Sequence, residues 1–130
     1  MDTRDQFLVE FRGKTLGIIT SQSTTEESFQ NQVLRPILKL QNEIICSVFL
    51  QYLKKNKIDF NSFSIDKKLK TIDNAVQKDI KFRNSLKGIV IGLFTVAEYN
   101  SYAANTAHIN KRIMSMLVER LKSQIQLLNL

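Results

Sequence analysis

The chain has 130 residues, 43% of them hydrophobic, and a formal net charge of +7. This length suits one domain with its own hydrophobic core, and the single Pro and four Gly argue against a turn-rich all-β protein and against disorder. Residues 54–87 hold ten Lys/Arg and four Asp, so a partner attracted by charge is expected to meet that segment.

The first predicted element is a helix over residues 3–12. Asp2 can cap its start, and Gly13 stands where many helices end in a left-handed residue. Three apolar residues share one face of this helix: Phe7, Leu8 and Phe11. The alternative is a β-hairpin within residues 7–20, with "FLVEF" and "TLGII" joined by "RGK". The pattern favours the helix.

A long helix is predicted next, from about residue 25 to residue 55. Thr24 and Glu27 have capping-box spacing at its start, and Pro36 predicts a kink or break near Arg35. The apolar residues from Ile44 to Leu53 point almost all round, which is typical of a central core helix. The basic run "KKNK" then ends it.

The third helix has the cleanest amphipathic pattern. It follows "IDFNSF", a loop with two Phe anchors, and begins at about Ile65 with Ser64 as its cap. Its apolar stripe consists of Ile65, Leu69, Ile72, Val76 and Ile80. Its opposite, basic face carries Lys67, Lys70, Asn74, Lys78 and Lys81.

The stretch "KDIKFRNSLKGIVIGLFT" is predicted to continue this helix from the surface into the core. Gly88 and Gly92, four residues apart, would let another helix approach closely; the alternative is a break at Gly88. Thr95 and Glu98 form a second capping box, which starts a short helix.

Asn105 or Thr106 is predicted to cap a last helix that runs to about residue 128. Its predicted buried face consists of Ile113, Met114, Leu117, Leu121, Ile125 and Leu128. The whole pattern predicts one all-α domain over residues 1–130, a bundle of four or five mostly antiparallel helices.

Few residues have the chemistry of catalysis. Cys46 lies in an apolar run and is expected to be a buried small hydrophobe, and His108 is expected at the surface. "RGKT" lacks the first glycine of a phosphate-binding loop, and no Glu-x-x-His pair is present. We therefore expect no metal, no cofactor and, on balance, no enzymatic activity.

We also expect no membrane-spanning segment and no secretion signal. The longest apolar run, "GIVIGLFTVA", is about half as long as a membrane helix. Nothing at the N-terminus has the pattern of a signal peptide, and the single cysteine fits a reducing compartment. These features predict a cytoplasmic protein.

Arg83 is the central candidate for a binding residue. If the third helix continues past Ile80, Arg83 joins the apolar stripe, with Asp79 one turn earlier as its ion-pair partner. A charged pair on an apolar face indicates a core ion pair, a pocket or a subunit interface. The further candidates are Asn84, Ser85, Lys87, Arg35 and Glu43.

Two stretches carry a resemblance, "FRGKTLGIITSQSTTEESFQNQVLRPILKLQNEI" and "KDIKFRNSLKGIVIGLFTVAEY". They resemble a group of small bacterial helical proteins with no established role. Look-alikes are sometimes labelled glyoxalase, but a glyoxalase of the usual kind resembles a repeated βαβββ fold with His and Glu metal ligands. This chain has one His and a helical pattern. The resemblance implies no catalytic residue.

Association with a second copy, as a homodimer, is the function that these patterns favour, because the predicted helices offer more apolar surface than one bundle needs. The first alternative is non-specific nucleic-acid binding by the basic face of residues 67–81, through Lys67, Lys70, Lys78 and Lys81. The second is a pocket near Arg83 for a small acidic ligand or substrate.

Overall fold

Helices make up the fold. The computed structural model describes residues 3–12 and 25–128, and within those ranges it contains helices and no strand. The α-helices are α1 (Thr3–Arg12), α2 (Thr25–Phe29), α3 (Arg35–Leu40), α4 (Asn42–Lys55), α5 (Ile65–Lys78), α6 (Ile80–Ile91), α7 (Val96–Ala104) and α8 (Thr106–Ser123). A π-helical turn spans Gln30–Leu34, and 3-10 turns span Phe60–Ser62 and Ile125–Leu128. The predicted all-α fold is confirmed.

Four long helices surround the centre of the core. Helix α5 packs against α6 and α8, and α4 also contacts both of those helices. Their fully buried side chains include Phe49, Ile72, Leu86, Ile113 and Leu117. Helices α1 and α3 pack on each other, α3 also contacts α4, and α7 contacts α8. The shorter helices therefore attach to this four-helix centre through α4 and α8.

The predicted interruption near Pro36 is present and has a clear backbone cause. The N–H of Arg35 bonds to the carbonyl of Gln30, five residues earlier, and Pro36 has no N–H to donate. The π-turn therefore precedes the proline, which lies in the first turn of α3. A second interruption at Gln41 separates α3 from α4, so the helix predicted to run to residue 55 is in three pieces. Thr24 lies outside the described residues.

Helix α4 is fully buried along only one of its faces. Its buried residues, Ile45, Phe49 and Leu53, are spaced by four and form one face. Ile44 is exposed although it is apolar. Four further residues of α4 are partly buried against the core: Cys46, Val48, Leu50 and Tyr52. The expected central core helix is therefore only partly present, because α4 packs on more than one face but leaves Ile44 in solvent.

The predicted continuous helix through residues 78–95 was also wrong. Helix α5 ends at Lys78, and Asp79 has an extended backbone. The Asp79 carboxylate accepts a hydrogen bond from the Phe82 N–H at 3.1 Å, so Asp79 is the N-cap of α6. The break makes α6 a separate helix, which contacts α4, α5 and α8.

The third-helix stripe is only partly a core stripe. Ser64 caps α5 as predicted, accepting from the Lys67 N–H, and Ile72 and Val76 are fully buried. Ile65 at the start of α5 is 68% exposed, and Ile80, which belongs to α6, is also exposed. Both ends of the predicted stripe therefore face solvent.

No neighbouring helix packs closely on Gly88 in α6 or on Gly92 just after it. A Cβ at Gly88 would have no neighbour within 4 Å, and one at Gly92 would lie 3.1 Å from the carbonyl of Gly88 in the same helix. Helix α6 passes through Gly88 and ends at Ile91. The break predicted as an alternative at Gly88 is absent, and so is the predicted close approach.

The last two helices follow the sequence closely. Thr95 and Glu98 form the predicted capping box of α7. Helix α8 begins at Thr106 and buries Ile113, Leu117 and Leu121, but it ends at Ser123, earlier than predicted. The Asn105 side chain donates to Glu26 at 3.0 Å and does not cap α8.

Candidate functional site

Two open grooves lie on either side of the α5–α6 junction. The larger, which we call the α5 groove, has a volume of about 700 Å³. Its apolar lining includes Ile58, Ala75 and Ile80, and its basic lining is Lys67, Lys78 and Lys81. The groove therefore combines an apolar surface with three cations.

Aromatic rings in the α5 groove are already engaged by neighbours. The Lys67 ammonium lies 4.0 Å from the centroid of the Phe63 ring. The Tyr52 ring packs on Phe82 with centroids 4.3 Å apart. Burial raises the pKa of Tyr52, and the negative charge of Asp79 raises it further. Each of these two rings therefore has one side covered by a neighbour, which reduces the aromatic surface on which a nucleic-acid base could stack.

Asp79 is the one carboxylate among the residues that line the α5 groove. One of its oxygens accepts the Phe82 N–H at the start of α6. Three lysines against this single carboxylate give the groove a net positive charge.

The smaller groove, which we call the α6–α8 groove, has a volume of about 490 Å³. Helix α6 contributes Arg83 and Lys87, helix α8 contributes Lys111, and no acidic residue lines the groove. Arg83 is half-buried, and its Nη1 donates to the Gln77 carbonyl at 3.2 Å, at the end of α5. That hydrogen bond holds the guanidinium at one end of the groove.

The structure brings together only part of the predicted site. Arg83 and Lys87 share the α6–α8 groove, but Asp79 lines the α5 groove and forms no ion pair with Arg83. The predicted pair fails because the helix breaks at Asp79, which changes the rotation between the two positions. Asn84 is exposed, and Ser85 donates to the Lys81 carbonyl.

Arg35 and Glu43 do not converge on this region. The Arg35 Nε donates to Asn31 at 2.8 Å within its own helical segment, and Glu43 is exposed in the first turn of α4. Of the predicted basic face, Lys70 is exposed and lies outside the α5 groove. Arg35 and Glu43, named as candidates near Arg83, therefore line neither the α5 groove nor the groove that contains Arg83.

A bidentate ion pair between α1 and α7 was not predicted from the sequence. The Arg12 guanidinium binds both carboxylate oxygens of Glu98, at 2.6 and 2.7 Å, and also donates to the Leu93 carbonyl at 3.0 Å. The Arg12 side chain is 6% exposed and that of Glu98 is 19% exposed. Residues 12 and 98 lie far apart in the chain, so no local spacing indicates this pair.

Further hydrogen bonds attach α1 to the turn between α6 and α7. Arg4 donates to the carbonyls of Gly92 and Phe94, each at 3.0 Å. The Asp5 carboxylate accepts the Val96 N–H at 3.1 Å. We call the contacts of Arg4, Asp5 and Arg12 with this turn the α1 clamp.

The outer side of α1 is apolar and exposed. Leu8 is the one buried residue of α1, whereas Phe7 is 60% and Phe11 56% exposed. The two rings stack with centroids 5.3 Å apart. With the exposed carboxylate of Glu10 beside them, they form what we call the α1 ridge. The predicted common face of Phe7, Leu8 and Phe11 is therefore divided between core and solvent.

The environment of Glu98 favours its charged form. Burial by itself raises the pKa of this carboxyl, but the Arg12 guanidinium and the Thr95 N–H stabilise the carboxylate more strongly. The net effect is a pKa below the ordinary value. The α1 clamp is thus formed with Glu98 ionised near neutral pH.

The remaining candidate chemistry is sparse. Within residues 3–12 and 25–128 no group of three or more His, Cys, Asp or Glu could hold a metal ion. Burial raises the pKa of the half-buried Cys46 thiol, and His108 is exposed as predicted. None of the helices in those ranges has both the length and the apolar character needed to span a bilayer. The RGKT stretch and the hairpin alternative extend beyond the described part of the chain.

Comparisons with known proteins identify no relative: no protein-family model, no curated protein and no solved structure matches the chain. The resemblance to small bacterial helical proteins stays a prediction. Arguments about function therefore rest on the two grooves, the α1 clamp and the α1 ridge.

Proposed function

We propose that this protein acts by association with a second copy of itself, with the α1 ridge of each copy in the α5 groove of the other. The observation that carries the proposal is complementarity. The ridge presents two stacked Phe rings beside a carboxylate, and the groove presents an apolar lining beside three lysines. Apolar burial would supply the affinity and charge would set the orientation.

The α1 clamp supports this arrangement by fixing the ridge before binding. Arg12 is almost fully buried against Glu98, so α1 is attached to the bundle through a bidentate ion pair. A surface fixed in advance loses less conformational entropy on association.

Interface size favours a reciprocal dimer. A stable interface buries roughly 1,200–2,000 Å² in total, which one face of a ten-residue helix does not supply. Two ridge–groove contacts related by a two-fold axis double the buried area.

The free, half-buried Cys46 supports a location in the cytoplasm, where thiols stay reduced.

Nucleic-acid binding by the basic face is the competing function for the same groove. A phosphate backbone would use the lysines but not the apolar lining of Ile58, Ala75 and Ile80. The rings of Tyr52 and Phe63 are covered on one side by Phe82 and Lys67. The groove therefore favours a ligand with both apolar and acidic groups.

Sedimentation velocity at micromolar concentrations tests the proposal. We expect a concentration-dependent dimer that Phe11→Asp weakens by about 30-fold or more, as for an apolar interface anchor. Lys78→Glu should weaken it by at least about tenfold. The matched controls are Ile44→Asp, on another exposed apolar residue, and Lys70→Glu, on the same helix outside the groove.

Mixing the two variants separates this interface from other dimers. A Phe11→Asp chain and a Lys78→Glu chain together retain one intact ridge–groove contact, so the mixture should associate better than either variant alone. A dimer that responds to Phe11→Asp but not to Lys78→Glu would mean that two ridges meet each other. A monomer at all concentrations, with salt-sensitive binding of duplex DNA, would replace the proposal with phosphate-backbone binding.

A further inference from the structure

The α6–α8 groove contains a concentration of positive charge that the proposed dimer does not use. Arg83 and Lys87 are one turn apart on α6, and Lys111 lies across from them on α8. None of the three forms an ion pair with any carboxylate in residues 3–12 or 25–128. Three uncompensated cations in one concavity repel each other, and an anion bound between them would relieve that repulsion.

The donors of the groove are arranged for small oxyanions. The hydrogen bond from Arg83 to the Gln77 carbonyl fixes the guanidinium and leaves its other N–H groups for a ligand. Asn110 accepts the Tyr102 hydroxyl at 2.7 Å through its Oδ1, so its NH₂ group remains as a donor. Ser115 adds a hydroxyl to the lining.

The size of the groove limits the ligand. Small-molecule sites usually measure about 300–1,000 Å³, and the α6–α8 groove lies within that range at about 490 Å³. Arg83 is half-buried, and its guanidinium lies at the end of α5, where the Gln77 carbonyl accepts its hydrogen bond.

We infer that the α6–α8 groove binds a small anion that carries two or more carboxylate or phosphate groups. Arg83 would take two oxygens of one group through its planar fork, and Lys87 and Lys111 would neutralise the second. The inference is independent of the proposed dimer, because no residue of the α6–α8 groove belongs to the α1 ridge or to the α5 groove.

Titration calorimetry tests the inference with two probes, inorganic pyrophosphate for phosphate groups and citrate for carboxylates. We expect at least one probe to bind, and Lys87→Gln and Lys111→Gln each to weaken it by about tenfold or more, as for lost charge-assisted hydrogen bonds. Lys70→Gln removes the same charge from the exposed face of α5 and should change the affinity by less than about twofold.

The outcomes are distinct. Binding of pyrophosphate alone would assign the site to phosphorylated ligands, and binding of citrate alone to polycarboxylates. Absence of heat with both probes at two well-separated temperatures would overturn the inference. An equal loss of affinity in Lys70→Gln would also overturn it, because that result indicates a general charge effect. Tighter binding of duplex DNA that is lost with the same two variants would reassign the groove to nucleic acid. Sedimentation of the same variants reports on the dimer separately.

Discussion

Replacing Glu98 by Gln tests whether the α1 clamp stabilises the fold. The substitution removes one negative charge but keeps an oxygen that can still accept the Thr95 N–H at the start of α7. The Arg12 guanidinium then lacks a counter-charge, although the Arg12 side chain is only 6% exposed.

The expected loss follows from that burial. Removing one partner of a fully buried ion pair costs about 3–5 kcal/mol. Glu98 is 19% exposed, and Arg12 keeps its hydrogen bond to the Leu93 carbonyl, so we expect the smaller value of about 2–3 kcal/mol in the free energy of unfolding. With a urea dependence of about 1.5–2 kcal/mol per M, the midpoint should fall by about 1–2 M.

Urea unfolding followed by circular dichroism measures this loss, and hydrogen exchange shows where it arises. Because Leu8 is the one buried residue of α1, the substitution should speed the exchange of the α1 amides more than that of the α5 amides. Glu119→Gln, which changes an exposed carboxylate of α8, should alter stability by less than about 0.5 kcal/mol. If Glu98→Gln behaves like this control in both measurements, the bidentate pair adds no stability and the reasoning is refuted.

Three further predictions concern stability. The lowered pKa of Glu98 means that its contribution to the free energy of unfolding is complete above the ordinary value of 4.5 and is lost as the pH falls through the folded-state pKa. The wild type should therefore lose more stability than Glu98→Gln on acidification. Curves of stability against pH that run parallel for the two proteins, measured by urea unfolding from neutral to acid pH, would contradict this. Although Ile72 and Ile65 belong to one apolar stripe, Ile72→Ala should lower the free energy of unfolding by about 2–5 kcal/mol and Ile65→Ala by less than about 0.5 kcal/mol, because only Ile72 is buried. Thermal or urea unfolding measures both losses, and equal losses would contradict the observed burial. Gly88→Ala should stabilise the protein by about 0.5–1 kcal/mol, since a Cβ there meets nothing within 4 Å; destabilisation in the same assay would indicate a neighbour that packs on this glycine.

Local signals in the sequence predicted much of the fold. The caps at Ser64 and Thr95 act within one helical turn, and the structure contains both. The interruption before Pro36 follows from its missing N–H, which is also a local property. Such features are readable because the cause and the effect lie within a few residues.

Features that depend on packing were not readable. Asp79 has a side chain suited either to an exposed helix position or to an N-cap, and the apolar spacing at Ile80 continued the phase of α5, so the break at Asp79 was missed. Arg83 and Lys87 lie in one groove as neighbours on α6, but Lys111, which lines the same groove, belongs to another helix and could not be placed beside them from local spacing. The Arg12–Glu98 pair depends on how α1 lies across the bundle, which no nearby residue indicates.

The α1 clamp also constrains how this sequence can diverge. Arg4 and Arg12 reach the carbonyl oxygens of Gly92, Leu93 and Phe94, and every amino acid presents the same carbonyl. The turn can therefore change its side chains without losing these three hydrogen bonds, within the limits set by the burial of Phe94. Positions 12 and 98 do not have this freedom, because a change of charge at one leaves the other unpaired. Among descendants of this chain, those two positions should therefore vary together.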